Sequence, residues 1–119
     1  MEKYYCPICG YELKEEFSIG IICPCCGNES GFEDDILFDE LKEFSSKDFK
    51  VAKVDKDELI RKSIEPIPIK IAYRLLRAKW INKGCKWTYN SKNERPKDWG
   101  IEKAKEQLKN IGVDIDNYL

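Results

Sequence analysis

The sequence predicts an α+β fold, with a cysteine-rich β module in residues 1–33 and a small helical body in residues 34–119. Five of the six cysteines lie in the first 26 residues, in two copies of the pattern C-P-x-C-G. Beyond residue 33, apolar residues recur at helical spacing, most clearly in IKIAYRLLRAKWINK. The hydrophobic content of 42% is enough for a core.

The first cysteine motif, CPICG, defines the register of the second, CPCCG. Aligned on proline and glycine, Cys6 pairs with Cys9 and Cys23 with Cys26, and Cys25 falls at the variable position. Two intervening residues let one turn present both sulfur atoms to a single ion. Four thiolates in a chain without histidine indicate a closed tetrahedral site of the structural type, with one Zn²⁺ per chain expected and iron as the alternative. Two disulfides, or a redox-active C-x-x-C, are the competing interpretation.

The segment between the two motifs predicts a β-hairpin. Tyr11 and Leu13 alternate with charged residues, Ile19 and Ile21 alternate across a glycine, and residues 15–18 would turn the chain. Each C-P-x-C-G segment is called a knuckle below. Two knuckles joined by a hairpin make a zinc ribbon, which is the fold expected for the N-terminal module.

The helical body is predicted from caps and apolar periodicity. An aspartate cap at Asp55, followed by Glu58, begins one helix, and Gly84 ends the central one. The predicted helices span residues 34–44, residues 55–65, residues 69–83 and residues 101–110. The central helix is apolar on most sides, so we expect it to lie in the middle of the fold.

Two cysteines, Cys25 and Cys85, remain outside the predicted metal site. A small buried side chain is the plain interpretation of each. A reactive thiol is the alternative, chiefly for Cys25 because it lies next to the metal.

The chain resembles small bacterial cysteine-rich zinc-ribbon proteins of the CPCC type. The resemblance is carried by CPCCG, by GFEDD at residues 31–35, and by the later WINKG, RPKDWG and QL segments. It implies a metal site and a bacterial protein, and it implies no particular activity.

Charge is unevenly distributed along the chain. The net charge is −4 in residues 1–33, −3 in residues 34–68 and +6 in residues 69–119. On the central helix, Lys70, Arg74 and Arg77 have the i, i+4, i+7 spacing of one basic stripe. We predict a possible binding surface that consists of Lys70, Arg74, Arg77, Lys86 and Trp87.

These observations favour a non-catalytic zinc-binding protein-interaction module, such as an immunity or antitoxin-type protein or a regulatory partner protein. An enzyme is not expected, because histidine and phosphate-binding loops are missing, and no catalytic residue is assigned. The alternative is a nucleic-acid-binding zinc-ribbon protein that uses the basic segment 70–97. This segment contains nine basic residues and only one acidic residue, Glu94. The partner is expected to be another protein, and no membrane association is expected. Unpaired cysteines and the absence of a secretory pattern predict a cytoplasmic location.

Overall fold

The computed structural model describes residues 2–119. The fold is α+β and combines one antiparallel strand pair with helices. The elements are β1 (Tyr4–Tyr5), β2 (Glu12–Leu13), α1 (Ser46–Ala52), α2 (Lys56–Arg61), α3 (Ile69–Asn82), α4 (Ile101–Leu108) and 3₁₀ helices at Phe38–Glu43, Lys109–Ile111 and Ile115–Tyr118. Within residues 2–119, no helix combines the length and the apolar character needed to cross a bilayer.

The strands pair differently from the predicted hairpin. β1 and β2 are antiparallel with Tyr4 opposite Leu13, so the first knuckle is the loop between them. An isolated bridge between Ile22 and Glu29 encloses the second knuckle in the same way. The strand predicted at residues 19–21 is wrong, because residues 19–20 lie in a turn and Ile19 is 87% exposed.

Each knuckle reverses the chain by itself, which explains this pairing. The amide of Gly10 donates to the carbonyl oxygen of Cys6 at 2.9 Å, and the amide of Gly27 donates to that of Cys23 at 2.8 Å. Both glycines have positive φ, which a residue with a side chain rarely adopts. The residues on the two sides of each knuckle therefore pair with each other, so each knuckle has its own short hairpin.

The helix predictions are confirmed where the signal is local. α3 spans Ile69–Asn82, one residue shorter than predicted. α2 begins as predicted, with the Asp55 side chain accepting a hydrogen bond from the Glu58 amide at 3.1 Å, but it ends at Arg61, four residues before the predicted end. α4 ends at Leu108, and a 3₁₀ turn continues it to Gly112, which has a φ of 70°.

Between residues 34 and 53, one helix prediction is wrong and one helix lies where none was predicted. The helix predicted at residues 34–44 is a 3₁₀ helix over Phe38–Glu43 only, because the Asp34 carboxylate accepts from the Gly31 amide and holds the preceding segment in a turn. α1 was not predicted, although it begins with a reciprocal capping box between Ser45 and Asp48.

α3 lies at the centre of the fold, as predicted. Its residues Ala72, Leu75 and Ala78 are fully buried, and α1 packs along it. The buried cluster also includes Ile8 of the first knuckle and Leu108 of α4. Residues from both sides of the predicted boundary after residue 33 thus share one core, and this core positions the cysteines.

Candidate metal centre

The four predicted ligands converge at one place in the structure. The Sγ atoms of Cys6, Cys9, Cys23 and Cys26 all lie within 4.8 Å of one another. We call these four residues the four-thiol cluster. Within the described residues, no other group of histidine, cysteine, aspartate or glutamate side chains is close enough to hold a metal in this way.

Two of the sulfur separations match those around a tetrahedral ion. The Sγ atoms are 3.7 Å apart between Cys6 and Cys26, and 3.6 Å apart between Cys9 and Cys23. A tetrahedron with metal–sulfur bonds of about 2.3 Å places neighbouring sulfurs about 3.8 Å apart, whereas a disulfide joins them at about 2.05 Å. All six cysteines are free thiols, so the structure contradicts the disulfide alternative and favours a metal.

The cluster is closed to solvent on most sides. Cys6, Cys9 and Cys23 are fully buried, and Cys26 is partly exposed. Burial raises the pKa of the Cys9 thiol well above its usual range, and the hydrogen bond with Cys23 raises that of Cys26. Four adjacent thiolates, three of them fully buried, would need a cation to compensate their charge, and the cluster could hold one.

Buried Arg77 connects the first knuckle to the helical body. Its Nε donates to the carbonyl oxygen of Ile8 at 2.7 Å, and its Nη2 donates to that of Pro7 at 2.6 Å. Its Nη1 donates to the Tyr118 hydroxyl at 2.9 Å. One guanidinium therefore donates to two carbonyl groups inside the turn that carries Cys6 and Cys9.

The end of α4 supports the same knuckle. Gln107 Nε2 donates to the Cys9 carbonyl oxygen at 3.1 Å and contacts the Cys25 sulfur at 3.4 Å. Asn110 Nδ2 donates to the Gly10 carbonyl oxygen at 3.0 Å. Sequence patterns missed these supports, because the paired residues are about a hundred positions apart and neither amide side chain has a local signal.

The second knuckle is held by the loop that follows α3. The amide of Thr88 donates to the Cys25 carbonyl oxygen, and the amide of Tyr89 donates to that of Pro24, both at 2.9 Å. Trp87 packs edge-on against Tyr11, with ring centres 5.2 Å apart. This loop therefore clamps the second knuckle through its backbone, and its Trp87 ring packs on the residue that follows the first knuckle.

Both cysteines outside the cluster are buried. Cys25 is fully buried and Cys85 is 1% exposed. Burial raises the pKa of the Cys85 thiol to about 11, so it is protonated at neutral pH. The structure therefore favours the small-side-chain interpretation of both cysteines over the reactive one.

The predicted basic binding surface is not one surface. Arg77 is buried, so its inclusion is wrong, and Arg74 donates from Nε to the Ala52 carbonyl oxygen at 3.1 Å. Trp87 is partly buried in the loop clamp, while Lys70 and Lys86 are exposed. Helical periodicity places the basic residues of α3 on one stripe, but it does not reveal that the first knuckle covers the position of Arg77.

Protein-family models, curated proteins and solved structures were compared with this chain, and none of them matches it. The interpretation of the site therefore depends on its geometry and on the chemistry of its donor atoms.

Proposed function

We propose that this chain is a zinc-binding, non-catalytic protein-interaction module. Zn²⁺ on the four-thiol cluster is the preferred occupant, because an all-cysteine donor set with tetrahedral spacing is typical of structural zinc. Iron would fit the same donors. With the ion bound, the two knuckle hairpins would form a zinc ribbon.

The donor set supports a structural role for the ion. A catalytic zinc keeps a coordination position open for water or substrate. Here four cysteines complete the tetrahedron, and three of them are fully buried. The ion would crosslink two chain segments that have little regular secondary structure of their own. Its role would then be to stabilise the fold, and the functional contacts would be made by the protein surface around it.

The observation that carries the proposal is the exposed apolar surface around the second knuckle. Ile19 is 87% exposed and Phe32 is 69% exposed. The Ile19 side chain lies against the backbone of Gly31, which precedes Phe32 in the chain. Ile22, whose backbone bridges to Glu29 at the base of the second knuckle, is also exposed. Large apolar side chains concentrated in this way mark interaction surfaces more often than solvated ones.

A protein is the preferred partner. An acidic N-terminal part and a basic C-terminal part suit recognition through complementary charge, which speeds association and selects the partner. An immunity or antitoxin-type protein, or a regulatory partner protein, is the concrete form of the proposal.

Nucleic-acid binding is the second candidate, and the loop after α3 favours it. Lys92, Arg95 and Lys97 are exposed there, and Tyr89 is 53% exposed. Cations beside an exposed ring suit phosphate neutralisation and base stacking. The acidic remainder of the chain opposes it.

A crosslinking experiment with matched variants tests the proposal. Zinc-loaded protein is crosslinked in a bacterial lysate, as wild type, as Ile19→Ser with Ile22→Ser, and as a control with Ile60→Ser and Ile101→Ser, which are exposed elsewhere. We expect one partner to be retained by wild type and control and lost from the first variant. Equal capture by all three proteins would contradict the assigned surface.

Anisotropy with a labelled oligonucleotide decides the second candidate. Tight, salt-sensitive binding that Lys92→Glu, Arg95→Glu and Lys97→Glu together abolish would replace the protein-interaction proposal.

A further inference from the structure

We infer that a groove beside Cys26 binds a partner peptide that carries one positive and one negative side chain around an apolar residue. The inference rests on the proposed function, because it assigns the chemistry of the partner. The groove has a volume of about 430 Å³ and runs between α3 and the segment that follows the second knuckle. This volume lies within the range of binding clefts, roughly 300–1,000 Å³.

The floor of the groove is apolar. On α3, Leu76 and Trp80 are one helical turn apart and face the groove. Ile36 and Phe44 complete the floor from the opposite side. Phe32, largely exposed, stands at the edge, where it can cover an apolar side chain that enters.

The walls carry opposite charges in equal number. Glu33, Glu40 and Glu43 come from the segment after the second knuckle and from the first 3₁₀ helix. Lys79 and Lys83 of α3, together with Lys86, line the same groove. Its formal net charge is therefore zero.

These charges are not paired with one another. Within the described part of the chain, no ion pair within 4.0 Å joins a groove glutamate to a groove lysine. The Lys79 ammonium instead lies 5.2 Å from the Phe44 ring centre. Glu33 and Glu40 each accept a hydrogen bond from a backbone amide of their own segment. Within the described residues, the side chains of Lys83, Lys86 and Glu43 form no hydrogen bond, so their charges are open to a ligand.

The charge arrangement selects the ligand class. A nucleic-acid strand would meet the three glutamates, and a polycation would meet the three lysines. In a segment with one acidic and one basic side chain, the acidic side chain can pair with a groove lysine and the basic one with a groove glutamate. Its apolar residue can cover the apolar floor of the groove. The position of Cys26 at one end of the groove means that the metal holds one wall in place.

Titration by ¹H–¹⁵N NMR tests the inference on zinc-loaded, full-length protein. The probe is the acetylated and amidated peptide Lys-Leu-Phe-Glu, and the control peptides carry glutamine at both ends, lysine at both ends or glutamate at both ends. We expect the zwitterionic peptide to shift the Trp80 indole signal and the amide of Lys83, and to bind roughly tenfold more tightly than the glutamine peptide. The amide of Ile60 in α2, which does not line the groove, is the internal reference.

Charge-reversal variants locate the site. Lys83→Glu with Lys86→Glu should lose the preference for the zwitterionic peptide, whereas Lys47→Glu with Lys97→Glu, equally changed in charge but outside the groove, should keep it. Equal affinity for all four peptides, or shifts away from Trp80, would overturn the inference, and wild-type protein alone suffices for this result. If that occurs while the Ile19 and Ile22 variant still loses its crosslinked partner, the proposed function holds and only the groove assignment fails.

Discussion

The Nε atom of Arg77 lies 2.7 Å from the carbonyl oxygen of Ile8, although the two residues are 69 positions apart. The charged side chain of Arg77, on the central helix, thus donates hydrogen bonds to backbone carbonyl groups of the first knuckle. Hydrogen bonds therefore join the helical body to the turn that carries Cys6 and Cys9 of the four-thiol cluster. Most of the predictions below follow from this connection.

Replacing Arg77 with methionine should destabilise the zinc-loaded protein by about 3 kcal/mol, because one buried carbonyl group, one partly buried carbonyl group and the Tyr118 hydroxyl lose their donor. Denaturant unfolding at fixed free zinc measures the change. Lys70→Met, exposed on the same helix, is the control and should change stability by less than about 0.5 kcal/mol. Similar values for both variants would mean that the Arg77 contacts do not stabilise the fold.

Two glycine substitutions separate backbone strain from steric overlap. A Cβ at Gly10 would overlap the carbonyl oxygen of Gln107, whereas a Cβ at Gly20 would have no atom within 4 Å, and both residues have positive φ. Gly20→Ala should therefore cost about 1 kcal/mol of stability. Gly10→Ala should cost more than about 3 kcal/mol, since the clash is with backbone. Thermal unfolding of the two variants compares them, and equal costs would argue against the close approach of α4 to the first knuckle.

Cys26→Ser should release the metal, because it removes one of the four converging sulfurs. Cys25→Ser should retain about one metal ion per chain, since the Cys25 sulfur lies outside the cluster and contacts Gln107. Elemental analysis of both purified variants measures the metal content. The reverse result, with metal lost from the Cys25 variant only, would show that the two motifs are aligned in the wrong register.

Removal of the metal by a chelator should unfold α3 and α4 together with the knuckles. Arg77, Gln107 and Asn110 all donate to knuckle carbonyl groups, so disordering the knuckles leaves buried Arg77 and partly buried Gln107 without these partners. Hydrogen exchange followed by mass spectrometry should show loss of protection throughout Ile69–Asn82. Protection of α3 that survives chelation would identify the helical body as an independently stable unit.

Cys85 should resist maleimide in the native protein. It is 1% exposed, and burial raises its thiol pKa to about 11, so little thiolate forms at neutral pH. Intact mass spectrometry should detect labelling of Cys85 and Cys25 only after unfolding. Rapid native labelling of either residue would restore the reactive-thiol interpretation.

The sequence by itself was sufficient for features with local causes. The repeated C-P-x-C-G motif grouped the four cysteines that the structure brings together and set Cys25 apart, because the spacing of two thiols on one turn is local geometry. The same holds for α3, whose periodicity and terminal glycine predicted its limits to within one residue. The sequence also predicted the Asp55 cap of α2, because Asp55 and the Glu58 amide that donates to it are only three residues apart.

Only the tertiary structure decided how these elements meet. It paired β1 with β2 around the first knuckle, where the sequence had suggested a hairpin between the knuckles. It buried Arg77, which the helical pattern alone had placed on an open basic stripe. In both cases the deciding partner is a backbone group, which is present at every residue and therefore leaves no trace in the pattern of side chains. The partner becomes identifiable only when folding brings a specific turn within hydrogen-bonding distance.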